Sequence, residues 1–546
     1  MICPKCGMEN PDGAQQCQGC GMTLTAFDRR KKKGKGWLIA VMAAVAVLAV
    51  AAVVVLRSDG VQRIIRRRTQ TPVEYYREVE TANALRVSEQ AEAWYGGFRS
   101  VMPNLSDFRQ ETALSLSLDD AARDLLATYA GADLSWLQSV GLDLNLDRAG
   151  EYAALAGVLS LNESKLIDLD IAADLDRLCI AFGIPMLSED HTELDLTDMM
   201  GQEEQRQFRD AAEREMDLAA MLPDRETLHT VLARYLTMAM EAGQNVERTQ
   251  GILTVDGISQ DCDILTITYP EETVRALLRE LCPALEQDRE LKETVLALEK
   301  STGREDLYTE LMARVREWED KAETLTLKQD IVMTLWVDGQ DVIRGRELAA
   351  EDMKLALLCP EKDGEANYSL SCERGESSFL LTGALRGGPE SREGSFSMTK
   401  DGVEYCWGTF SGFDTLRFSE GGVKGSVTFQ LARECYGAMN LYWVSSRYLE
   451  GLTYTLDLES GAHESDWTLS ARMQDEPYFT LRGGSSWEDR GRCGPLPETT
   501  DIQLWAMSRL FDGSLSGYLK YLSEETDLPD TIVEELKNRL LGELMG

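Results

Sequence analysis

Histidine is scarce in this chain: three residues, His191, His229 and His463, among 546. They fall in separate stretches, and no two share an H-x3-H or H-E-x-x-H spacing, so a histidine-built metal or acid–base centre is not expected. The G-x-S-x-G elbow, the P-loop and a G-x-G-x-x-G between strand and helix are also missing. Their absence removes the usual signs of a serine nucleophile, a nucleotide or a dinucleotide. Positive charge is short as well, with 56 Lys and Arg against 93 Asp and Glu and a net charge of −37. The deficit is uneven. Residues 1–36 carry +4 and residues 57–68 carry +4, which leaves −45 on the rest. A body so acidic has no electrostatic footprint for nucleic acid, because phosphate contacts need Lys and Arg. It suits a soluble surface that repels its own copies.

Cysteine is sparse but patterned. Cys3, Cys6, Cys17 and Cys20 form C-x2-C-x10-C-x2-C, and Gly7 and Gly21 follow the two pairs. Two residues between cysteines aim both thiolates at one ion, and two such turns complete a tetrahedral S4 site for a structural zinc with no open position. A segment this short has no hydrophobic core, so metal binding would supply most of its folding free energy. Residues 1–24 resemble the short zinc ribbons found at the start of many bacterial membrane proteins.

A basic linker, residues 25–36, leads to one long apolar run, Trp37 to Leu56, without a charged residue. At about 1.5 Å per residue these twenty residues match the thickness of a bilayer core. A cleaved signal peptide has a shorter apolar stretch and a short basic start, so the run reads as a retained signal anchor. Basic residues flank it on both sides, Arg29 to Lys35 before and Arg57 to Arg68 after, so charge alone settles orientation poorly. Zinc thiolates need a reducing compartment. That places the N-terminus in the cytoplasm and the remainder outside the cell, beginning with a juxtamembrane segment and stalk over residues 57–100.

Beyond the span the hydrophobic period alternates between helix and strand. Apolar and aromatic spacing predicts a stalk helix over 73–95, stopped by Gly96-Gly97. From about 110, ALSLSLDD, LDLNLD and KLIDLDIAADL have a period of two, which predicts strands wetted on one face. Helices are predicted over 202–240 with a break at Pro223-Asp224, over 271–299, over 304–322, and at the C-terminus over 502–523 and 529–544. Asp256-Gly257 and Asp338-Gly339 each sit between alternating runs and predict two-residue hairpin turns. Blocks of strands and helices without βαβ alternation give an α+β extracytoplasmic region over 101–500, with a subdomain boundary near 200–245 or 322, followed by C-terminal helices over 501–546.

The stretch ERTQGILTVDGISQDCDILTITYPEETVRALLREL, residues 247–281, resembles a recurrent segment of Gram-positive envelope proteins that combine a zinc ribbon, one span and a large extracellular β-rich region. That resemblance implies topology and no activity. An antiparallel sheet crossed by helices is also similar to bacterial lipoprotein-carrier half-barrels, a likeness of element order alone.

Few outer residues single themselves out. Asp168/Asp170, Asp174/Asp176 and Asp261/Asp263 place carboxylates at i and i+2, as a calcium site or, more simply, as a solvated strand face. Eight further cysteines allow either disulfides, with Cys359–Cys372 across a hairpin the easiest pair, or buried thiols. Trp407, Phe410, Phe413, Tyr436, Tyr442, Trp443, Tyr448 and Tyr454 crowd the late strands, where they read as core rather than a carbohydrate platform. With no catalytic motif, the reading is a single-pass envelope protein with a binding or sensory outer domain, its partner an envelope ligand or a membrane protein. A carboxylate-dependent cell-wall enzyme and a scaffold for another membrane protein are the alternatives.

Overall fold

The computed structural model describes residues 18–19, 70–131, 133–212, 225–302, 304, 306–438, 449–500 and 514–545. The chain divides into two compact units, Met1–Val47 and Leu48–Gly546. The expected transmembrane run, residues 37–56, and the four N-terminal cysteines lie outside the described residues, as do 213–224, 439–448 and 501–513. Among the described residues no helix is long and apolar enough to cross a membrane.

The first described element of the second unit is helix α1 (Pro72–Ser100). Thr71 caps it: its hydroxyl accepts from the Glu74 amide, and the Glu74 carboxylate accepts from the Thr71 amide at 2.9 Å, two orphan donors satisfied reciprocally. The helix does not stop at Gly96-Gly97 as the sequence predicts. A Cβ at Gly97 would run into the backbone of Phe418, Ser419 and Gly421. Glycine serves here for close approach to another segment, and the helix continues past it.

Next come β1 (Asp107–Leu118), α2 (Asp120–Ala130), β2 (Ser139–Ala149), β3 (Tyr152–Leu161), β4 (Ser164–Asp174), β5 (Cys179–Gly183) and β6 (His191–Asp195). Helices α3 (Gln202–Ala212) and α4 (Arg225–Ala242) follow, then the hairpin β7 (Asn245–Val255) and β8 (Ile258–Tyr269). Helices α5 (Glu271–Gln287), α6 (Arg289–Thr302) and α7 (Leu307–Thr324) precede a long run of strands. These are β9 (Ile331–Val337), β10 (Ile343–Ala350), β11 (Met353–Leu358), the short β12 (Glu361–Lys362), β13 (Glu365–Arg374), β14 (Ser377–Arg386), β15 (Arg392–Lys400), β16 (Val403–Phe413) and β17 (Val423–Leu431). After α8 (Arg433–Ala438) come β18 (Leu452–Ser460), β19 (Glu464–Met473), β20 (Glu476–Glu488), β21 (Thr499–Thr500), α9 (Ser514–Glu524) and α10 (Asp530–Met545).

All 21 described strands join one sheet. The ladder runs antiparallel from β7 through β11 and β13 to β20, then from β20 to β1 and on to β6; β21 closes it in parallel on β6. The first strand in sequence therefore lies inside the sheet. The β1–β20 register, Arg109 opposite Glu488 to Leu118 opposite Phe479, welds the early meander to the late one. The fold is an antiparallel β-rich α+β arrangement.

Several turns use the chemistry expected of them. Asp256-Gly257 and Asp401-Gly402 have positive φ at both positions (44° and 89°, 53° and 77°), as the hairpin turn that follows strand twist requires. Asp338-Gly339 does not repeat this. The β9–β10 connection is longer, and positive φ falls on Asp341. The Asp338 carboxylate accepts from the amides of Gln340 (2.7 Å) and Val342 (3.0 Å) and from Arg344 Nε (2.7 Å), so side-chain hydrogen bonds shape this turn.

Helices pack on parts of the sheet. Tyr75, Tyr76 and Val79 of α1 pack on Leu265, Ile267, Met333, Leu335 and Val337 of β8 and β9. Ala122 of α2 packs with Leu452, Ala471 and Tyr478. Leu522, Leu528 and Val533 of the last two helices and the loop between them pack against Trp136, Leu161 and Leu166. Helices α5 and α7 meet through Cys282, Met312 and Val315. The helix predicted over 271–299 breaks at Asp288. Its carboxylate caps α6 through the Leu291 amide (3.0 Å) and accepts from Arg234 (2.6 Å) and the Tyr235 hydroxyl (2.5 Å), fastening α4 to the junction.

Candidate functional site

Two candidate sites emerge, one in each unit. In the first, Cys3, Cys6, Cys17 and Cys20 lie outside the described residues, but Gln18 and Gly19 between the second pair are described and form an exposed turn. That turn is what a C-x2-C knuckle needs to bring two sulfurs to one ion. A donor set of four thiolates in paired knuckles fits zinc and leaves no coordination position for substrate.

The second site follows from the register of β1 to β4. Directly opposed residues in an antiparallel ladder share a face. Leu114, Leu142, Leu159 and Ile167 therefore form one row; Thr112, Leu144, Gly157 and Leu169 a second; Gln110, Leu146, Leu155 and Ile171 a third. The opposite face carries Asp143, Asn145 and Asp147 on β2 and Asp168 and Asp170 on β4. The alternation LDLNLD thus separates an acidic face from a leucine face. Part of the leucine face is exposed: Leu146, Ile167 and Leu169 are 37%, 38% and 37% exposed. At the end of these strands next to the β2–β3 turn, Leu105, Phe108, Leu146, Arg148, Leu155 and Ile171 line an open groove of about 330 Å³. Leu105 comes from the loop between α1 and β1, so that loop and the sheet build the groove together. Burial draws the Arg148 guanidinium below its ordinary pKa, the Cys493 thiol acting in the opposite sense, and its Nε donates to the Gly150 carbonyl at 3.4 Å.

The acidic pairs do not converge. Asp168 accepts from Lys165 Nζ (2.7 Å) and the Met186 amide (2.8 Å), Asp174 from the Arg177 amide (2.9 Å), and Asp263 from Arg248 (2.9 Å). One carboxylate of each pair is thus a buried structural acceptor rather than part of a solvated face, and no cluster able to hold a metal ion occurs among the described residues. His191 is on β6, His229 on α4 and His463 in the β18–β19 turn, where it lies edge-on to Trp487.

The eight cysteines from Cys179 to Cys493 are thiols, not disulfides. The Cys359–Cys372 bridge is ruled out by register: Cys372 stands opposite Leu355, while Cys359 follows Leu358, which is opposite Ser369. The two fall near opposite ends of the ladder, beyond disulfide reach. Of the aromatics, Tyr436 is buried, with its hydroxyl 3.2 Å from that of Tyr454, and Phe410 meets Phe413 edge-on. They act as packing groups. Tyr442, Trp443 and Tyr448 lie outside the described residues.

A zinc-ribbon domain matches residues 2–24. No curated protein matches the chain. Among solved structures, the crystal structure of Pseudomonas aeruginosa OpdQ aligns with 70% of this chain and 96% of its own at 7% identity and a TM-score of 0.18; a likeness that low carries no argument.

Proposed function

We propose that this is a single-pass envelope protein with a zinc ribbon in the cytoplasm and an outer domain that binds the acyl chain of a lipid, as a binding module rather than an enzyme. The observation behind the ligand class is the part-exposed leucine face of β1 to β4 with its groove. Patches of this kind on an otherwise charged surface mark binding sites. The surface the lining presents is mostly apolar, with Phe108 its one aromatic ring and Asp147 and Arg148 its charged residues among the described residues. A sugar or peptide asks for converging hydrogen-bond donors and acceptors, whereas an acyl chain asks for apolar area and shape. The topology rests on the apolar run at 37–56 and on the compartment that thiolates need. Zinc held by Cys3, Cys6, Cys17 and Cys20 would supply folding free energy to the ribbon.

The test is photolabelling. The full chain in nanodiscs is exposed to a photoreactive fatty acid, with and without excess unlabelled fatty acid. Competed label should map to peptides carrying Phe108, Leu146 and Ile171, and Leu146→Asp should remove it. Label spread over the chain and indifferent to competitor would overturn the reading. Protease added to intact protoplasts should degrade the outer domain and spare the ribbon.

A further inference from the structure

Two of the thiols from Cys179 to Cys493 are brought together by the fold although they are remote in the expected hairpins. Cys406 stands opposite Leu431 at the end of the β16–β17 ladder. One step further the Ala432 amide donates to the Tyr405 carbonyl at 2.9 Å, so the two strands are still paired where the ladder ends. The chain then reverses: the Cys435 amide donates to the Ala432 carbonyl at 3.0 Å, and α8 begins. Tyr436 anchors that short helix through hydrogen bonds to the Leu449 carbonyl (3.0 Å) and with the Tyr454 hydroxyl (3.2 Å). Tyr454 is opposite Phe429, and through the unbroken register it shares a sheet face with Cys406. The turn and the tyrosine anchor therefore bring Cys435 back over the face that Cys406 occupies. Both thiols are half-buried, reachable by a small oxidant, unlike Cys262, Cys282 and Cys359 in the interior. Burial first, and then Cys435, raises the Cys406 thiol, and both thiols add a smaller upward push to the buried Tyr436 hydroxyl.

We infer that Cys406 and Cys435 are a redox pair that closes to a disulfide and staples α8 to strand β16. In the reaction each thiol gives up its proton, and the pair gives up two electrons to a low-molecular-weight disulfide such as oxidised glutathione. That disulfide is cleaved to two thiols as one sulfur–sulfur bond forms between Cys406 and Cys435. The staple would hold the junction through which the chain passes from β17 to β18. It needs neither the lipid reading nor the membrane topology.

The experiment uses the full chain, reduced and then equilibrated with oxidised glutathione. Remaining thiols are blocked with N-ethylmaleimide and the digest is read by mass spectrometry without reduction. The expected product is a linked peptide pair carrying Cys406 and Cys435, together with a rise in thermal midpoint that dithiothreitol reverses. Cys435→Ser should leave Cys406 open to N-ethylmaleimide and abolish the rise. Both peptides fully alkylated after oxidation, or linked to other cysteines, would overturn the inference. Because the linked peptide is sought first in the unmodified chain, the test stays decisive even where the serine variant fails to fold.

Discussion

Arg346 donates from both terminal nitrogens to Glu80, at 2.7 and 2.6 Å, across 266 residues of sequence. The pair locks α1 onto β10 beside the Tyr76–Tyr269 hydroxyl contact. Burial by itself would lower the Arg346 pKa; Glu80 more than offsets it, and the net direction is upward. Glu80→Ala leaves that guanidinium buried without its counter-charge and should cost about 3–5 kcal/mol. Glu80→Leu combined with Arg346→Leu should cost much less, since replacing both charges removes the desolvation penalty. Urea unfolding midpoints of the two variants test this. Equal losses would mean that the pair is not what holds the helix.

Adjacent glycines should answer alanine with opposite signs. Nothing lies within 4 Å of a Cβ at Gly96, so Gly96→Ala should stabilise by about 0.5–1 kcal/mol through helix propensity. At Gly97 the new carbon meets the backbone of the Arg417–Glu420 turn and Gly421, and backbone has no rotamer with which to yield. Gly97→Ala should destabilise by about 1–3 kcal/mol despite the same propensity gain. Thermal melts of the two single variants decide the matter.

Asp288 gives stability a defined acid limb. Burial pushes its pKa up, but the Leu291 amide, the Tyr235 hydroxyl and Arg234 together hold it below the ordinary 3.8. A carboxyl depressed in the folded state contributes stability above its unfolded pKa and loses it as pH falls through the folded value. The wild-type chain should therefore lose this contribution below about pH 3.8. Asp288→Asn should be less stable at neutral pH and show a flatter decline in acid. Parallel pH profiles for the two proteins would refute the assignment.

Burial raises the Cys262 and Cys359 thiols to about 11. At pH 8 only about one molecule in a thousand carries the reactive thiolate at either position. Iodoacetamide at that pH should leave both unmodified in the native chain for as long as the fold holds, and label them at once in guanidinium. Prompt native labelling, read by peptide mapping, would contradict the burial.

Much of this fold can be read in the alternation of residues. LDLNLD and KLIDLDIAADL put leucine and acid on opposite faces because strand side chains alternate, and β2 and β4 do so. Asp256-Gly257 turns where it should for a reason confined to two residues. Its counterpart Asp338-Gly339 behaves differently because Arg344 and the amides of Gln340 and Val342 claim the aspartate. The helix α2 over 120–130 has no clear local signature, since DAARDLLATYA follows a strand pattern without a break and docks on residues some 330 positions later. The Cys406–Cys435 approach and the groove behind Leu105 likewise draw on segments distant in sequence.

What the residues determine unaided is local and periodic: a four-cysteine zinc ribbon, an apolar run of bilayer length, two-faced strands, and capped helices. Each follows from spacing along the backbone, which needs no partner to be legible. Which strand neighbours which was decided in three dimensions alone. The pairing of β20 with β1 places the earliest strand in mid-sheet, and on the strands beside it Leu146, Ile167 and Leu169 stand part-exposed. Cross-strand register and helix docking are long-range packing solutions, and no short stretch of chain encodes them by itself.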